Sequence, residues 1–177
     1  TDVLGNGLGG FVALALALRH GRRFGRMVLV GSAIAFPEAG RATLRALADK
    51  VEHGGMAAVV DAAMRRMFPE PFIAAHPELV AGRAAAFRRI DPAVFAAACR
   101  ALAALDLSGE LSAIRNPTLL VVGAEDEATP PGLGRALAER LAHARPIEMP
   151  GLGHCPHIQD PDAFVAAIAP FLGLSAE

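Results

Sequence analysis

Val3-Leu4-Gly5-Asn6-Gly7-Leu8-Gly9-Gly10 puts a short apolar stretch, a glycine turn and a helix start into one continuous run. A strand that turns through glycines straight into a helix is how a parallel α/β sheet is built. The apolar residues that follow, unbroken from Phe11 to Leu18, predict a helix over Leu8–His20 ending near Gly21. Met27-Val28-Leu29-Val30 comes next. A continuous apolar run of this length, rich in β-branched residues, suits a strand buried on both faces.

Further along, the period changes. Leu44, Leu47, Ala48 and Val51, then Met56, Val59, Val60, Ala63, Met64 and Met67, recur at helical spacing. A third helix is expected through Leu79, Arg83 and Phe87, and a fourth from Asp91-Pro92, an N-cap followed by proline at the first helical position. Strand and helix alternate again with Thr118–Gly123, a helix over about Pro131–Leu141, a weaker strand at Arg145–Met149 and a last helix announced by Asp160-Pro161 and containing Pro170. The pattern predicts an α/β fold with a parallel sheet, flanking helices and a four-helix insertion. Its expected divisions are a core segment 1–35, a helical cap 36–107 and a C-terminal core segment 108–177.

The 177 residues are 53% hydrophobic, with a mean hydropathy of +0.38 and a formal net charge of −1. That is ample apolar material for a core. Near-neutral charge and arginines that look scattered give nucleic-acid binding nothing to rest on, and no apolar run reaches the roughly 18–20 residues that span a bilayer. Cys99 and Cys155 are the only cysteines, which excludes a disulfide framework and suits a reducing, cytoplasmic setting. The opening residues carry neither a charged n-region nor a small-residue cleavage site, so no signal peptide is expected.

Ligands of an open parallel sheet bind beyond the carboxyl ends of its strands. Four places qualify: the turn at Gly7, Ser32, Glu125-Asp126-Glu127, and Gly153-His154-Cys155-Pro156-His157. Asp126 and His154 can meet there although distant in sequence. Asp126 alone would pass for a solvated loop carboxylate, Ser32 for an ordinary turn serine, and Cys155 for a buried inert thiol. No CxxC or HExxH spacing supports a metal site. The methionine stripe is simplest as helix core, yet a lid over the strand ends also makes Met64 and Arg65 candidate pocket residues, and Arg65 or Arg66 could meet a substrate carboxylate.

Gly5-Asn6-Gly7-Leu8-Gly9-Gly10 resembles the nucleophile elbow G-x-S-x-G of α/β-hydrolases, with glycine at the serine position. Gly123-Ala124-Glu125-Asp126-Glu127-Ala128-Thr129-Pro130 resembles that family's acid loop, and Gly151-Leu152-Gly153-His154 its histidine loop, in the family's order. Gly54–Ala58 and the stretch from Ala104 through Leu119 are most similar to 3-oxoadipate enol-lactonases and their relatives. The resemblance implies hydrolysis of an ester or lactone bond in a small metabolite, without metal or organic cofactor. It implies Asp126 as orienting acid, His154 as general base, Gly7 at the nucleophile position and the Leu8 backbone N–H as half of an oxyanion hole.

Gly7 leaves two readings open: a divergent hydrolase in which His154 and Asp126 activate water, or a degenerate protein that only binds; a serine replaced by design looks the same in sequence. The family also has strands before the elbow and a loop there that supplies the second oxyanion N–H. At about 30 residues per βα unit, three or four such units make roughly a hundred residues. The resemblance therefore implies the C-terminal part of a longer protein, little activity in the isolated chain, and self-association through an unpaired sheet edge.

Overall fold

The computed structural model describes residues 1–174. β1 (Val3–Asn6), β2 (Met27–Val30), β3 (Thr118–Gly123) and β4 (Ala144–Met149) form one parallel sheet in the order β1-β2-β3-β4. Asn6 lies opposite Val30, Val30 opposite Val121, and Gly123 opposite Met149, so the carboxyl ends gather along one edge.

The period-two alternation of the strands divides the core into two layers. Met27, Leu29 and Leu120 face α1 (Leu8–His20) and α7 (Pro131–Arg140), where Leu14 and Leu137 are fully buried. Val28, Val30, Leu119 and Val121 face α9 (Pro161–Leu172) through Phe164 and Ile168. Burial on both faces explains the continuous apolar strands, and each enclosed aliphatic side chain contributes about 1.5–3 kcal/mol. The expected cap residues act as such: Asp160 accepts from the Ala163 N–H and Asp91 from those of Ala93 and Val94. Pro170 falls in the last turn of α9.

The insertion has five α-helices among the described residues, not four: α2 (Glu38–Gly54), α3 (Val60–Met67), α4 (Glu70–Ala75), α5 (Pro77–Arg88) and α6 (Pro92–Ala104). α4 escapes a periodicity reading because it is little more than one turn, set between Pro69 and the proline that opens α5. A further short helix, α8 (Pro156–Gln159), follows the histidine loop and was likewise not expected.

The ends of this insertion meet. Ala35 and Asp106 form an antiparallel bridge, and Leu107 N–H donates to the Ile34 carbonyl at 3.1 Å. Arg41 clamps the junction, donating to the Phe36, Ala103 and Leu105 carbonyls at 2.7, 3.0 and 3.3 Å. Above it, α2 and α6 share a core of Leu44, Ala48, Ala96 and Cys99. Among the described residues no helix is long and apolar enough to cross a membrane, and β1 has β2 as its one strand neighbour.

Candidate active site

The turn from β1 into α1 holds Gly7 at φ 52°, ψ −122°. A side chain there costs on the order of 1–3 kcal/mol in backbone strain, which glycine escapes. The turn is fixed by its own backbone: Gly7 N–H donates to Val30 O at 2.9 Å, and Gly10 N–H donates to Gly7 O at 2.9 Å. Leu8 is the first helical residue, so its N–H has no intrahelical acceptor and stands at the positive end of α1.

Opposite the turn, Asp126 and His154 are together. His154 Nδ1 lies 2.8 Å from Asp126 Oδ2. The other carboxylate oxygen accepts the Ala128 and Thr129 N–H groups at 2.8 and 2.7 Å. Asp126's side chain is fully buried, while His154's is 11% exposed. An ionised carboxylate only accepts, so the proton of this contact sits on Nδ1, and in the neutral imidazole the lone pair is then on Nε2. Nε2 faces the elbow: a Cβ added to Gly7 would stand 2.8 Å from it.

Two residues that sequence reasoning passed over hold this pair in place. Asn6, just before the turn, donates from Nδ2 to the His154 carbonyl at 2.9 Å, tying the elbow to the histidine loop. Gly31, at φ 56°, leaves room for the imidazole; a Cβ there would lie 2.7 Å from His154 Nδ1 and 3.0 Å from Asp126 Oδ2. The signal for Gly31 was a glycine at the carboxyl end of a buried strand, the same position class as the turn itself. From the insertion side, His154 N–H donates to Met67 O at 3.0 Å, which satisfies a carbonyl at the end of α3.

A cavity of about 300 Å³ opens between the strand ends and the insertion. Gly7, Leu8, Thr129 and His154 line it from the core, and Phe36, Leu44, Phe87, Phe95, Cys99 and Leu102 from the other side. Arg66 and Met67 belong to this wall; Met64 and Arg65 do not. The helical phase of α3 explains the difference. Ala63, Arg66 and Met67 reach the cavity, whereas Met64 is buried with Val60 and Phe68 in a cluster containing Cys155, against whose edge Ala63 and Met67 also pack. Arg65 is exposed, on a surface groove with Asp61 and Ile73. Arg66 donates to the Glu127 and Ala128 carbonyls at 3.4 and 3.3 Å, joining α3 to the acid loop.

Ser32 also stands outside the cavity. It is buried, its hydroxyl lies 3.4 Å from Val30 O, and a Cβ on Gly10 would collide with its Oγ. It is therefore enclosed beneath α1. Burial raises the Cys155 thiol to about 11, with Arg83 opposing and Asp126 adding to the effect. Burial likewise raises Cys99 to about 11, against the pull of Arg66 and Arg100. Both thiols stay protonated at neutral pH. His157 is pushed below the ordinary histidine range, first by burial, then by Arg83 and His154. Among the described residues no three His, Cys, Asp or Glu side chains converge as a metal site.

A strand–turn–helix elbow facing a buried Asp–His pair across a sheet edge is a family arrangement, and the alpha/beta hydrolase family model matches residues 1–167. The chain belongs to the alpha/beta hydrolase family. It is 28% identical over 93% of its length to 3-oxoadipate enol-lactonase 2 of Acinetobacter baylyi, spanning 60% of that protein. It is 33% identical over 96% of its length to the RutD protein of Caulobacter sp. (strain K31), which bears a provisional carbamate hydrolase name, spanning 64% of it. The crystal structure of the enol-lactonase from Burkholderia xenovorans LB400 superposes with a TM-score of 0.92 at 31% identity, covering 98% of this chain and 65% of that one. The likeness to enol-lactonases thus holds in sequence and in fold. The chain spans just under two thirds of the length of these relatives.

Proposed function

We propose that this site hydrolyses an ester or lactone bond of a small, largely apolar metabolite, with water taking the attacking role that a side chain at Gly7 would otherwise fill. The observation that carries the reading is the His154 imidazole, its Nδ1 held by Asp126 and its Nε2 directed at the elbow beside an apolar cavity. His154 Nε2 takes a proton from water as the water oxygen bonds to the acyl carbon. The Leu8 N–H, at the positive end of α1, donates to the oxyanion that forms. Collapse of the tetrahedral intermediate breaks the acyl–oxygen bond, and the leaving alkoxide recovers the proton from His154; ester and water become acid and alcohol. Asp126 keeps the proton on Nδ1 and balances the transient imidazolium.

The helical segment 36–107 acts in this reading as the cap over the acyl pocket, and Arg66, on its wall, is placed for a carboxylate on the substrate. The enol-lactonase relatives support the bond type. The test is turnover of lactone and aryl-ester substrates by the longest form of the protein. Wild-type turnover should exceed that of His154→Ala by about 10²–10⁴-fold.

A second reading, binding without turnover, is favoured by the nearness of the imidazole to Gly7: the ring occupies space that a larger residue would claim. It predicts no turnover above the His154→Ala background, together with a ligand-dependent rise in Tm.

A further inference from the structure

The arginines that look scattered in sequence do not stay scattered in space. Arg26, Arg41, Arg45, Arg88, Arg100 and Arg135 each pair with a carboxylate. Arg19, Arg22, Arg23 and Arg115 do not. All four are exposed, and among the described residues they form neither ion pairs nor side-chain hydrogen bonds. They line a single concavity of about 760 Å³, together with His20 and without one acidic residue.

The position of Arg115 excludes a purely local explanation. Arg19 and His20 complement the carboxyl end of α1, as basic residues commonly do. Arg22 and Arg23 lie past that helix, and Arg115 arrives from a distant segment that leads into β3. Asn116 fixes the loop between them: its Nδ2 donates to the carbonyls of Gly21, Phe24 and Gly25 at 2.9, 3.1 and 2.8 Å. The two N–H groups of this amide are shared among the three carbonyls, which lowers the number of free acceptors beside the guanidinium groups. Forked guanidinium groups match phosphate oxygens in two-point contacts, and the volume suits a small ligand.

We infer that this concavity is a binding site for a compact polyphosphate, either a free inorganic chain or the phosphate tail of a nucleotide. It lies at the amino ends of β2 and β3, the end of the sheet opposite His154. A four-residue strand separates the two sites by about 13 Å or more, so the ligand is not the substrate of the Asp126–His154 site.

Calorimetric titration of the protein with tripolyphosphate and with ATP, at about 50 and 150 mM NaCl, tests it. Saturable one-to-one binding is expected, weakened on the order of tenfold or more by Arg22→Ser/Arg115→Ser and unchanged by Arg65→Ser/Arg89→Ser, which removes the same charge elsewhere. Tighter binding of ATP assigns the site to a nucleotide, and equal binding to the inorganic chain; either supports the inference. A titration that does not saturate, an equal loss in the control pair, or tighter binding of a short RNA duplex with several protomers per duplex overturns it.

Discussion

The candidate site has two walls, and they are built from different things. The acid and histidine loops have their side chains and the supports of these: Asp126 is enclosed, both of its oxygens are engaged, and His154 is held through its backbone by Asn6 and by Met67. The elbow contributes backbone alone. Gly7 still stands at φ 52°, ψ −122°, with Leu8 opening the helix behind it. Main-chain hydrogen bonds and close helix–strand packing hold the turn, so its shape needs no side chain at position 7. The partner wall rests on side chains as well as backbone, through the Asp126 carboxylate, the imidazole and the Asn6 amide.

Gly7→Ser is the sharpest way to break this contrast. In the water reading it should raise turnover on the order of 10³-fold or more, because loss of a serine nucleophile costs at least that much where it has been measured. The imidazole must give way by some tenths of an ångström, and backbone strain should lower stability by about 1–3 kcal/mol. Initial rates and urea unfolding measure the two effects; a folded serine variant no faster than its parent would show that the elbow assignment is mistaken. Asp126→Asn comes next. It preserves the acceptor for the Ala128 and Thr129 N–H groups while removing the negative charge beside Nδ1, so turnover should fall by about 10²–10⁴-fold with the fold intact.

Gly31→Ala tests whether the histidine wall depends on its backing. A Cβ at that positive φ, pressed against both members of the pair, should destabilise the protein by about 1–3 kcal/mol and lower turnover with it; an unchanged urea midpoint argues against the close packing. His157 gives the smallest effect. Its native pKa lies below the usual value of about 6.5, so the unfolded chain binds the proton first as pH falls. The associated stability is present above that value and is lost as pH falls through the lower native one. His157→Gln should flatten this part of the pH–stability curve.

What the sequence disclosed depended on how local the physics was. The glycine turn, the two Asp-Pro helix starts and the β-branched runs state their structures within a few residues, and the loops holding Asp126 and His154 are placed by the strands before them. The phase of α3 is different: Met64 against Met67, and Arg65 against Arg66, are decided by which side of the helix meets Phe68 and which meets the cavity. Asn6 and Gly31 owe their importance to contacts across more than a hundred residues. The arginine concavity exists only because the approach to β3 brings Arg115 beside the end of α1.

The junction at Arg41 has a consequence for how such a protein can change. Ala35 and Asp106 run antiparallel where the helical insertion departs and returns, the arrangement that a short hairpin turn would also bridge. The segment from 107 to 117 still carries the chain back to β3. The strand pairing does not pass through this neck, so the cavity-facing residues of α2, α5 and α6 are open to exchange, whereas α3 is not: its Met67 carbonyl holds the His154 N–H and its Arg66 joins the acid loop.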